Sequence, residues 1–126
     1  MEHLTPRQAL ARMKELIRTG KPGKNYTFVP SDKNRELVEK FFLDDNKRIE
    51  ILLSIKDEEY EKDEYSIDEN HSDDYLYVFL KRDVELRRRY SSNFDFEKVD
   101  IYVKFTLSGY GNNICIVISF HENKNY

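Results

Sequence analysis

Among 126 residues there is a single cysteine, Cys115, so an internal disulfide is excluded. It sits in "ICIVISF", where a free thiol behaves as a small hydrophobe. Long apolar runs are also missing: none approaches the roughly 20 residues that a membrane-spanning helix needs. No leader-like segment opens the chain, so a cytoplasmic location without a membrane partner is expected. Internal repeats are absent, and the one compositionally biased tract, an acidic stretch, lacks the aspartate spacing and central glycine of a calcium loop. Neither a metal nor a cofactor is expected.

What is present argues for one folded unit. Aromatics reach 13%, which opposes disorder although 36% of residues are charged. The length suits one core, a single domain over residues 1–126. Charge is uneven. Asp57 to Asp74, "DEEYEKDEYSIDENHSDD", holds ten acids and one lysine, a net of −9. Removing it from the chain's total of −3 leaves the remainder at +6. A mildly basic body carries one acidic segment, and such a body can collect phosphates.

"LTPRQALARMKELIRTG" predicts a helix, with Thr5 as cap, Pro6 in the first turn and Gly20 at the end. Leu10, Met13, Leu16 and Ile17 recur at helical spacing as its buried stripe. A short extended piece follows at Tyr26 to Val29. Ser31 then starts a second helix that buries Leu37, Val38, Phe41 and Phe42. "NKRIEILLSI" suggests a third, through Ile49, Leu52 and Leu53. Ser54 with Asp57 is a capping pattern for one more, over Lys56 to Tyr65. After Asp74 the period becomes two. "YLYVFLKRDVEL" reads as a strand bent near Asp83, and "VDIYVKFTL" alternates cleanly. "SGYGNN" is a turn, and "ICIVISFH" a last strand with Ile114, Ile116, Ile118 and Phe120 on its apolar face. Helices first and an antiparallel sheet last make an α+β fold.

The final hairpin gathers chemistry on one face. Pairing Leu107 with Ile114 sets Thr106 against Cys115, Lys104 against Val117 and Tyr102 against Ser119, with His121 diagonal to Tyr102. Tyrosine, lysine, serine and histidine converge there. A histidine at a strand end can be merely solvated, or it can be a titratable group on a rigid support.

Four pieces, in order, carry a resemblance. Met1, Glu2, Thr5, Pro6, Leu10, Lys14, Leu16 and Gly20 match an N-terminal pattern. Leu53 and Ser54 are followed by Tyr60 and Lys62, an aromatic-x-Lys. "YVKFT" spans Tyr102 to Thr106, and "ISFHENK" spans Ile118 to Lys124. Together they resemble the MqsR family of bacterial toxin–antitoxin toxins, which are RelE-like endoribonucleases. The resemblance implies helices packed on a sheet whose exposed face cleaves single-stranded mRNA. It also implies a neutralising antitoxin encoded nearby. Tyr102 falls on the family's catalytic tyrosine, His121 on a catalytic lysine, and Lys62 on a lysine of a short helix. The family's glutamine on the preceding strand has no counterpart; Tyr77 and Val78 occupy that region.

On this reading the RNA is cleaved without a metal, by attack of a 2′-hydroxyl on the adjacent phosphorus. His121 moves a proton, Tyr102 orients the phosphate or shares that transfer, and Lys62 or Lys104 offsets developing charge. Arg82, Arg87, Arg88 and Arg89 hold flanking backbone, and Tyr75 or Tyr77 stacks a base. The bland counterpart makes the arginines an edge guard, the tyrosines a core rim, and Tyr90, Phe94 and Phe96 loop anchors. A different class is also open: a non-catalytic binding protein, either an immunity protein or a phage-borne regulator, whose acidic segment suits a basic partner. So is a degenerate toxin that only binds its antitoxin.

Overall fold

The computed structural model describes residues 4–65, 75–89 and 95–123. The far half of the acidic segment, with Met1, Glu2, Tyr90, Phe94 and Lys124, lies outside them. Helix α1, Pro6–Thr19, opens on a reciprocal cap. The Gln8 N–H donates to the Thr5 hydroxyl at 3.2 Å, and the Thr5 N–H donates to the Gln8 side-chain oxygen at 2.9 Å. Its buried stripe is Ala9, Leu10, Met13, Leu16 and Ile17, as the spacing required. After β1, Tyr26–Phe28, come α2, Asp32–Lys40, capped by Ser31, and α3, Asp45–Ser54, capped by Asp44. Among the described residues no helix is long and apolar enough to cross a membrane.

The helix expected over Lys56 to Tyr65 does not form. A single 3₁₀ turn, Asp57–Glu59, leads directly into strand β2, Tyr60–Tyr65. Ser54 caps nothing there; its hydroxyl donates back to the Ile51 carbonyl at 2.6 Å and closes α3. Tertiary contacts override the local pattern. The Tyr60 ring packs edge-on against Phe79 at 5.8 Å, and the Lys81 ammonium ties Glu59 at 3.1 Å to the Ser54 carbonyl at 3.2 Å. From Tyr60 to Tyr65 the backbone pairs with β3 instead of closing on itself as a helix.

Three further strands, β3 (Tyr75–Arg87), β4 (Phe96–Ser108) and β5 (Ile114–Glu122), complete a five-stranded sheet in the order β1-β5-β4-β3-β2. The fold is α+β, but the sheet is mixed: β1 runs parallel to β5, and the other pairs are antiparallel. Three residues of β1 carry too little pattern to reveal a direction. The bend expected near Asp83 is present, as a register shift between Lys81 and Val84 with Asp83 at φ 56°.

All three helices bury their apolar stripes on one side of the sheet. There they meet Tyr77 and Phe79 of β3, Ile101, Val103 and Phe105 of β4, and Cys115, Val117 and Phe120 of β5. Phe105 lies at the centre, with the Phe79 ring stacked at 5.9 Å and Tyr77 at 5.5 Å.

The last hairpin departs from the expected register. Gly109, Gly111 and Asn112 all adopt positive φ, so the chain reverses within residues 109–113 and pairs Ser108 with Ile114. Arg12 of α1 pins that turn, its Nε donating to the Asn112 carbonyl at 3.0 Å. Near the turn, Cys115 and Val117 therefore face the core, and Ile114 and Ile116 face away. A β-bulge between Val117 and Ser119 then inserts Ile118, and Phe120 returns to the core. Tyr102 consequently pairs with His121 rather than Ser119, and Lys104 with Ser119 rather than Val117.

Burial pushes the Cys115 thiol up from its ordinary 9.0 to about 12. Two outcomes follow. Iodoacetamide should leave the native protein unlabelled at pH 8 and alkylate it once denatured. The folded state also keeps its thiol proton where the unfolded chain has lost it, so this group weakens stability as pH rises from 9 towards 12. Denaturation midpoints of wild type and Cys115→Ala across that range measure the effect.

Candidate functional site

The sheet face turned away from the helices is built by register. Residues directly opposite one another on antiparallel strands share a face. One row crosses the sheet as Lys62, Val78, Lys104 and Ser119, and the next as Leu80, Tyr102 and His121. A third pairs Leu76 with Thr106 and Ile116. Leu76, Val78 and Leu80 form a buried apolar floor. Polar side chains stand around that floor: Tyr102, Lys104 and His121 are half-buried, and Lys62 and Arg82 are exposed.

Tyr102 and His121 are in contact. Their rings stack with centroids 5.2 Å apart and planes 15° from parallel. The Lys104 ammonium lies 5.9 Å from the Tyr102 ring centre, close enough for a cation–π attraction. On the histidine's other side, Nδ1 lies 3.1 Å from the Glu122 carbonyl. If that carbonyl accepts from a protonated Nδ1, Nε2 is left as the nitrogen for exchange with a substrate.

Two clefts meet at this stacked pair. One, of about 350 Å³, is lined by Glu61, Lys62, Arg82 and Tyr102 over Val78 and Leu80. The other, of about 380 Å³, lies between α2 and the end of β5 and is lined by Lys33, Lys40, His121 and Glu122. Asn123 borders both. Lys40 and Glu122 form an ion pair at 3.6 Å in the second cleft, and the first sets Lys62 and Arg82 beside the Tyr102 phenol with Glu61 at its edge, so both carry mixed charge. Among the described residues no cluster of His, Cys, Asp and Glu side chains is arranged to hold a metal.

The structure therefore brings together His121, Tyr102, Lys62, Lys104 and Arg82. It separates the rest. Tyr77 is buried on the core side and donates its hydroxyl to the Leu4 carbonyl at 2.8 Å, so it stacks no base. Tyr75 packs against it at 5.2 Å. Arg89 donates from Nε to the Phe41 and Val38 carbonyls at 2.7 and 2.9 Å, serving the carbonyls at and beyond the end of α2. Arg87 and Arg89 both lie over the Phe42 ring at 4.9 Å, and Arg88 pairs with Glu97 at 3.0 Å. Arg87 and Arg89 thus tie the end of β3 to the α2–α3 connection, and Arg88 ties it to the start of β4.

One residue beside the site escaped the sequence reading. Asn34 is buried in α2, with only 6% of its surface exposed. Its carboxamide nitrogen donates to the carbonyls of Val29 (2.8 Å) and Ile118 (2.9 Å), and its oxygen accepts from the Phe120 N–H at 2.9 Å. The signal was available: Asn34, Leu37 and Phe41 fall at i, i+3 and i+7, so a polar residue occupies the buried stripe.

No family model, curated protein or solved structure matches the chain.

Proposed function

We propose that this protein is a metal-independent endoribonuclease of the RelE-like, MqsR-type class, the toxin of a toxin–antitoxin pair, acting on single-stranded mRNA in the cytoplasm. The observation that carries the reading is the direct Tyr102–His121 pairing: an imidazole and a phenol stacked 5.2 Å apart beside a cleft that Lys62, Arg82 and Glu61 line.

Cleavage of RNA by its own 2′-hydroxyl needs a base, an acid and cations around a phosphorane gaining charge. The 2′-oxygen forms a bond to phosphorus while the bond to the 5′-oxygen breaks. One proton leaves the 2′-hydroxyl and one arrives on the departing 5′-oxygen. His121 performs one of those transfers, since an imidazole nitrogen can give or take a proton. Tyr102 holds a non-bridging oxygen through its hydroxyl or relays the second proton. Lys62, Arg82 and Lys104 surround the same phosphate. Lys62 and Lys104 stand two strand spacings apart, about 10 Å between backbones, which long side chains close from both sides. Val78 lies between them, and the glutamine of the resembled family has no counterpart here, so charge stabilisation falls to the cations. The protein partner on this reading is an antitoxin that covers this face.

Incubating the purified protein with single-stranded RNA in excess EDTA tests the proposal. Fragments ending in 2′,3′-cyclic phosphate and 5′-hydroxyl are expected, with growth arrest when the protein is induced in bacteria. Intact RNA with harmless expression would instead favour the non-catalytic binding protein.

A further inference from the structure

We infer that Asn34 is a positioning residue for His121: its side-chain carboxamide holds the β5 bulge that sets the imidazole over the Tyr102 ring. Strand β1 ends at Phe28, and its last bond to β5 is Val29 N–H to the Val117 carbonyl, at 3.0 Å. Beyond it, the same edge of β5 presents the Ile118 carbonyl and the Phe120 N–H. One carboxamide satisfies both, at 2.9 Å each, where a longer β1 would otherwise pair. Its third bond, to Val29, anchors it to the point where β1 leaves the sheet.

The two β5 bonds bracket Ser119, at the register break. Phe105 pairs with Val117 and Lys104 with Ser119, so Ile118 is the extra residue. Regular alternation from Val117 would send Ser119 and His121 into the core and turn Phe120 outward. Phe120, 2% exposed and edge-on to Phe28 at 6.1 Å, decides which way residue 120 faces. Burial of one ring does not set the twist after it. A bulge raises local twist and loosens pairing, and His121 follows Phe120 immediately. Grips on the Ile118 carbonyl and the Phe120 N–H fix that twist, and with it the 15° between the His121 and Tyr102 planes.

The inference concerns the site on which the ribonuclease reading rests, and its test does not require RNA. NMR of the full chain reads the stack directly, through NOEs between the His121 and Tyr102 ring protons and the ring-current shift of the imidazole. In Asn34→Leu both signals should be lost. Asn34→Asp keeps the shape and the acceptor for Phe120 but loses both donors, so it should weaken the NOEs even if the leucine variant fails to fold. Leu37→Ala, on the same helix face, should lower stability and leave the NOEs intact. Full-strength NOEs in a folded Asn34→Asp, or equal loss in Leu37→Ala, would overturn the positioning role. Where wild type cleaves RNA, Asn34→Asp should lower kcat by up to about 10²-fold with KM retained, the effect of misplacing a reacting group by an ångström. A wild-type protein inert toward RNA sinks the nuclease reading alone.

Discussion

His121→Ala is expected to lower the rate of RNA cleavage by about 10²- to 10⁴-fold, the usual contribution of a positioned acid or base, with KM little changed. The reasoning is geometric. His121 lines one cleft and Tyr102 the other, and the two rings form the wall between them. On the proposed reading, a phosphate above that wall meets the imidazole, the phenol, Lys62 and Arg82 together. Alanine removes the proton carrier and leaves the cations, so binding survives and turnover falls. Tyr102→Phe keeps the ring and its stack but removes the hydroxyl, and should give a smaller loss. Single-turnover cleavage of a labelled oligonucleotide at saturating enzyme separates the two variants. Undiminished cleavage by both would remove the pair from the chemistry.

The second large effect is on stability. Phe105→Ala should cost about 3–5 kcal/mol, because it deletes a fully buried ring and leaves a cavity that its neighbours only partly fill. Phe105 adjoins Lys104 in sequence but points to the opposite side, between the rings of Tyr77 and Phe79. Urea unfolding should show a lower midpoint with an unchanged slope. Tyr102→Phe, half-exposed on the outer face, should move that midpoint little. The contrast is informative, because neighbouring β4 positions then divide by face: inward residues hold the fold and outward ones contribute little to it. Equal destabilisation by both changes would contradict the two-sided sheet.

Much of the scaffold was legible along the chain. The α1 stripe, the caps at Thr5 and Ser31, the clean alternation of β4 and the bend at Asp83 all express local chemistry, and all are present. The outer face was legible in outline, since Tyr102, Lys104 and His121 do share it. Other elements were not readable. β2 carries helix-like caps and acids, but its fate depends on Phe79 and β3. Tyr77 alternates like a base-stacking tyrosine, yet its hydroxyl is claimed by Leu4, 73 residues away in sequence. Arg87, Arg88 and Arg89 look like a phosphate-binding run and are instead held by Phe42, Glu97 and two backbone carbonyls.

β5 shows where the division falls. The run "ICIVISFH" offers two apolar faces of nearly equal merit, one with Ile114, Ile116, Ile118 and Phe120, the other with Cys115, Val117 and, after a bulge, Phe120. Hydropathy cannot separate them, because both bury β-branched or aromatic residues. By itself the sequence determined that this segment is a strand with a histidine near its end. Turn length, the grip of Arg12 on the turn and the carboxamide of Asn34 chose the bulged register, and with it the direct pairing of His121 with Tyr102. Those constraints join residues roughly 85 to 100 positions apart. Local pattern specifies which face of an element is apolar, and only packing between elements specifies which residue meets which.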